Sequence, residues 1–198
     1  MSAFLAPIHS RMFAKIQSQE KLIQAIATVA AEKGWMDAAE ANGYAHEENR
    51  PLADIIDHAN IHGWLLGKIE DVEARCASFV TKLIDADASR LEAIKKAAFD
   101  FGASNAAEEA DAPTLYGALD LILLDGMPCD GACLVLNKSP EHFAWDVRLD
   151  VHSAFWTQAG GNPAHFYALR EAVISGFLSK TSKEAVTEDG HTYHFATK

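Results

Sequence analysis

In the stretch 54-DIIDHANIHGW-64, His58 and His62 lie four residues apart. On a helix that spacing sets two imidazoles on one side, one turn apart, which is the geometry a shared metal ion needs. Asp54, one turn before His58, would add an oxygen ligand or a carboxylate that orients the ring. A third ligand has to come from elsewhere in the chain. His9 is the first candidate, and His46, Glu47 and Glu48 are others. No HExxH or comparable full signature accompanies the pair. The competing explanation is that each ring packs in the core and bonds a carbonyl or carboxylate. A divalent metal ion is therefore the cofactor the sequence suggests, with His58, His62 and His9 as its ligands. If the chain is an enzyme, metal-assisted hydrolysis is the reaction class, the ion lowering the pKa of a bound water.

A second set follows downstream. Asp146, Arg148, Asp150 and His152 alternate with Trp145, Val147, Leu149 and Val151. In a strand this puts the polar residues on one face. Asp150 beside His152 is a carboxylate next to an imidazole, the raw material of general base chemistry. The alternative is an ordinary solvated sheet face with cross-strand charge pairs. Further on, aromatic residues including Trp156 flank the loop 157-TQAGGN-162. The helix start after this loop offers free N–H groups to an anion. The loop is not GxGxxG and lacks the Walker lysine, so nucleotide binding has little support. Arg170, one or two turns into that helix, can pair with a carboxylate of a ligand or of the protein surface. Asp150, His152, Trp156 and Arg170 are thus the expected ligand-binding residues.

Cys129 and Cys133 bracket an Asp-Gly turn in 127-MPCDGAC-133. Zinc half-sites usually have two intervening residues and need a second pair. No neighbouring Lys, Arg or His in sequence would lower a thiol pKa. A redox-responsive pair and a tight turn with small buried thiols are the two alternatives.

The elements that must hold these residues follow from periodicity. Residues 8–33 read as an amphipathic helix through Ile8, Met12, Ile16, Ile23, Ile26 and Ala30, stopped by Gly34. A short helical piece is expected around 36–44, and a long helical stretch over 51–84 opens at Pro51, as one helix or two. On its wheel Leu52, Ile55, Ala59, Leu66 and Ile69 mark the apolar face, with His62 inside it and His58 at its edge. Residues 88–102 and 114–125 are also helical in spacing, separated by the acidic linker 103-ASNAAEEADAP-113. After Pro128 the pattern changes to β: 133-CLVLN-137, the turn 138-KSPE-141, then alternation from Phe143 to His152. Asn162 and Pro163 open a helix running to about residue 179. A second hairpin is expected over 184–187 and 191–197 around Asp189-Gly190.

The chain has 198 residues, 28 acids against 17 Lys and Arg, and a net charge of -11. That balance argues against nucleic-acid binding, which needs cations on phosphates, and against anionic membranes. No apolar run approaches the roughly 18–20 residues of a membrane span. The start, MSAFLAPIHSRMFAKIQ, does not read as a signal peptide. Three cysteines, few and odd in number, suggest a reducing cytoplasm.

Runs of helices followed by runs of strands imply an α+β fold. The expectation is a mostly helical N-terminal two-thirds, then a small antiparallel sheet packed with a long C-terminal helix. One domain over 1–198 is expected, with a subdivision into 1–103 and 114–198 as the variant. The expected function is binding of a metal ion or small molecule in a histidine-containing pocket between helices and hairpin. The alternatives are a helical interaction module forming a homodimer, its histidines being packing residues, and a thiol-based redox-responsive protein.

Overall fold

Side-chain caps set four of the eight α-helix starts among the described residues. In the computed structural model, residues 5–198 are described; Met1–Phe4, the beginning of the segment read above for a leader, lie outside them. Helix α1 (Pro7–Glu32) opens with proline in its first turn. It ends where Gly34 takes a positive φ of 66°, a conformation that glycine reaches without a Cβ clash. Asp37 caps α2 (Ala38–Asn42). Helix α3 (Leu52–Ile55) is a single turn after Pro51. Asn60 caps α4 (Ile61–Ala86), its side chain accepting from the Gly63 N–H. Helix α5 (Arg90–Ser104) follows closely, and Asp111 caps α6 (Ala112–Leu119).

The long stretch at 51–84 is therefore broken, which corrects the wheel drawn through it. Asp57 accepts from the Ala59 N–H at 2.9 Å and its carbonyl from the Asn60 N–H at 3.0 Å, so the chain turns before α4 starts. The buried face of α4 runs through Ile61, Leu65, Ile69, Val72 and Cys76, and His62 and Leu66 point to solvent. The helix expected over 114–125 stops at Leu119, after which Leu123 and Leu124 are buried in the loop that follows.

Helices α1, α4 and α5 pack on one another through these apolar stripes. Helix α8 (Pro163–Phe177), capped by Asn162, lies along α5. The two helices touch backbone to backbone: a Cβ at Gly102 would stand 2.1 Å from the Val173 carbonyl oxygen, and one at Gly176 2.0 Å from that of Phe99. Only glycine permits that approach.

The sheet has four antiparallel strands in the order β1 (Cys133–Lys138), β2 (Phe143–Val147), β4 (Thr192–Thr197), β3 (Lys183–Thr187). Both expected hairpins form, and pairing of Ala144 with His194 and Trp145 with Tyr193 joins them. Phe143, Trp145, Tyr193 and Phe195 fill the covered face, where Tyr116 of α6 stacks on Phe143 at 4.2 Å. The fold is α+β, as the order of elements implied.

Strand β2 is shorter than its alternation. It ends at Val147, and Asp150 then accepts from the His152 and Ser153 N–H groups, opening the short helix α7 (Ser153–Gln158). Asp150 and His152 consequently share no strand face. No helix among the described residues is long and apolar enough to cross a membrane.

Candidate functional site

Four charged side chains meet in the interior where α4, α7, α8 and the loop after α6 converge. Glu73 comes from the buried face of α4 and Asp125 from the loop following α6. His152 comes from the residue before α7, and Arg170 from the middle of α8. His152 is 1% exposed and Glu73 2%. Arg170 holds Asp125 with both arms: Nη2 donates to Oδ2 at 3.0 Å, and Nη1 donates to Oδ1. His152 Nε2 stands 3.5 Å from Asp125 Oδ1, and Nδ1 lies 3.2 Å from Glu73 Oε2. The last contact is an ion pair without hydrogen-bond alignment, and Glu73 Oε1 meets no donor among the described residues. The His152 ring also lies flat on Phe166, with centroids 3.8 Å apart.

Two carboxylates against two cations balance this cluster. Burial opposes a charge on His152, but the Glu73 and Asp125 carboxylates outweigh it and hold its pKa up at about 9. Burial likewise opposes the Asp125 carboxylate, but Arg170 and His152 outweigh it and hold the carboxyl far below the usual range. The result is an imidazolium between two anions, locked by an arginine fork.

Asp125 is the point at which the cluster reaches the surface. It lines a cleft of about 260 Å³ between α1 and the start of β1, together with Tyr116, Gly126, Gly131 and Cys133. The Cys133 thiol donates to Asp125 Oδ2 at 3.5 Å. Burial and the Asp125 charge push this thiol up to about 12, so it stays protonated and is a poor nucleophile. At the mouth, Lys15 donates to Asp120 at 2.8 Å and Arg11 donates to its other oxygen.

Of the expected ligand-binding residues, His152 and Arg170 meet at Asp125. Arg170 is buried and makes no surface ion pair. Asp150 accepts from the His152 and Ser153 N–H groups in the turn that leads into α7. Burial raises its pKa, but the Ser153 hydroxyl and the backbone N–H groups outweigh that and hold it at about 2. Trp156 is fully buried, edge-on to Phe166, and its indole N–H meets no acceptor among the described residues. Of the expected metal ligands, His9 and His62 come together with their Nε2 atoms 3.1 Å apart. His58 does not join them: its Nε2 pairs with the Ala53 carbonyl at 2.9 Å, in the turn before α4. His46, Glu47 and Glu48 line a separate cleft of about 340 Å³ between α1 and α4. Among the described residues, no group of three or more His, Cys, Asp or Glu side chains is placed to hold a metal ion.

Glu73 and Asp125 had not been singled out in the sequence. Glu73 does carry a signal, because it falls eight residues after Leu65 and four after Ile69, on the buried face of its helix. Asp125 follows the apolar run 121-LILL-124 at the end of the helix expected over 114–125, and the structure leaves it in a loop instead.

No family model, no curated protein and no solved structure matches this chain.

Proposed function

We propose that the protein binds a small polar molecule in the cleft between α1 and β1, against a floor made by Asp125 and Cys133. The observation that carries this reading is the buried ionic cluster opening onto a concavity. Four charged groups in a core are poor stabilisers, since well-packed apolar residues of similar volume commonly do as well or better. Strongly shifted titratable groups beside a cleft are instead characteristic of ligand and active sites.

The lining defines the class of ligand. Arg11 and Lys15 oppose Asp120 and Asp125 around the cleft, so its charges cancel. A neutral or zwitterionic molecule matches that lining. Its donor would face Asp125, and a carboxylate or hydroxyl would compete with Asp120 for the two cations. His152 and Arg170 act from behind, keeping Asp125 ionised and fixed in direction.

Fragment mapping by amide chemical-shift perturbation tests this, using neutral, zwitterionic, anionic and cationic members. Shifts should cluster on Gly126, Gly131, Cys133 and Tyr116 for the first two classes. An Ala132→Trp change, which fills the cleft, should remove them. Hits spread over other surfaces, or unaltered by the filled cleft, would refute the proposal.

A second reading, as an association module, is favoured by β1. This outer strand leaves Leu134 43%, Val135 44% and Leu136 53% exposed, with one edge unpaired among the described residues. Sedimentation of the wild type and of Leu134→Lys/Leu136→Lys tests it. Under this reading a wild-type dimer is converted to monomer, whereas a monomer at every concentration removes it.

A further inference from the structure

We propose that His9 and His62 form a two-histidine site for a divalent ion of the zinc, nickel and copper class, separate from the ligand cleft. Two nitrogens bound to one such ion at about 2.0–2.1 Å stand about 3.3 Å apart at a tetrahedral angle and about 2.9 Å apart at a right angle. The observed Nε2 separation of 3.1 Å lies between these values. The ring centroids are 5.2 Å apart and the planes are tilted by 58°, so the rings meet through their Nε2 edges and do not stack. The donors come from different helices, His9 from the first turn of α1 and His62 from the first turn of α4. Imidazole suits this class of ion. His9 is buried and fixed, whereas His62 is exposed, which leaves the remaining coordination positions open to water.

The site also carries its own switch. His9 Nδ1 accepts the Ala6 N–H at 3.0 Å, at the free N-terminal end of α1. A neutral imidazole holds one proton, so that proton sits on Nε2 and is donated to His62 Nε2. An ion taking His9 Nε2 displaces this proton, and the ring regains one at Nδ1 through solvent, so the number of protons is unchanged. The Ala6 N–H then loses its acceptor. Metal uptake is thereby coupled to uncapping of α1, which favours a weak, exchangeable ion over a permanent one.

Zinc titration by calorimetry, combined with long-range ¹H–¹⁵N spectra of the imidazoles, tests this. A Cys129→Ser background removes the exposed thiol as a competing ligand. One ion should bind per chain. Loss of a supporting partner of a metal ligand typically costs about 10–100-fold in affinity, so loss of a ligand through His62→Ala or His9→Asn should cost at least about tenfold. His58→Ala should change nothing. On zinc addition the His9 Nδ1 signal should turn from acceptor type to N–H type. His62 is on the surface, so its variant remains folded and interpretable. Zinc bound equally well by His62→Ala, no uptake by the parent, or an unchanged His9 Nδ1 at saturation would overturn the proposal.

Discussion

Asp125 is the residue on which the interior charges depend. With Arg170 removed, two carboxylates would share the single positive charge of His152 in a site with little water. Breaking a buried ion pair on one side typically costs about 3–5 kcal/mol. Arg170→Met should therefore lower the unfolding free energy by about that amount, read from the denaturant midpoint at constant slope. The double change Asp125→Leu/Arg170→Met should lose less than the single one, because no lone charge is left behind. A single variant as stable as wild type would show that the pair carries no such strain. His152 could be picked out from the sequence because it closes a polar alternation beside Asp150, and Arg170 because it is a cation inside the helix after the Gly-Gly loop. Their partner could not, because the spacing puts Asp125 at the end of a helix over 114–125, whereas α6 ends at Leu119 and leaves Asp125 in a loop. The meeting of His9 with His62, and the failure of His58 to join, also depend on a turn that a helical wheel cannot represent.

At the scale of elements, local signals worked where one residue decides the backbone. Gly34, Asn162, Pro163 and the Asp189-Gly190 turn mark boundaries that the structure contains. They failed where an apolar pattern ran on past its element. The alternation through Val151 continues after β2 has ended, because Asp150 accepts from the His152 and Ser153 N–H groups and turns the chain into α7. The contact between α5 and α8 was equally hidden, since glycine in a helix signals a close neighbour without naming it. That contact gives a direct prediction. Forcing an extra methyl group into a packed contact costs about 1–3 kcal/mol, occasionally more, and here the obstacle is backbone that cannot turn aside. Gly176→Ala should destabilise by at least the upper part of that range in thermal or chemical melts. Gly67→Ala, with nothing within 4 Å of the added carbon, should be neutral or stabilising. Equal effects at the two positions would contradict the close approach.

For the molecule as a whole, the fold class was legible because helices precede strands. The joining of the two hairpins was not, since a period of two identifies a face and leaves the partner strand unnamed. That joining ties β2, and through it β1 with Cys133 at the cleft, to the second hairpin. The whole-molecule consequence of the buried cluster is a pH profile. His152 has a folded pKa raised to about 9 from 6.5, so its contribution is complete below pH 6.5 and is lost as pH rises through 9. Asp125 has a folded pKa lowered from 3.8, so its contribution is present above that value and is lost in acid. Stability measured against pH should peak between these limits and fall on the alkaline side between pH 6.5 and 9. A His152→Gln protein should lack the alkaline fall. A wild-type curve that is flat from pH 6.5 to 9 would remove His152 from the balance.

The ¹⁵N chemical shifts of the His152 ring, followed against pH, bear most directly on the cluster from which the cleft takes its character. Both ring nitrogens should remain protonated through neutrality, with a midpoint near the value of about 9. A His152 ring that is neutral at pH 7, or that titrates at its ordinary value of 6.5, would contradict the imidazolium between Glu73 and Asp125 and, with it, the ionised floor of the cleft.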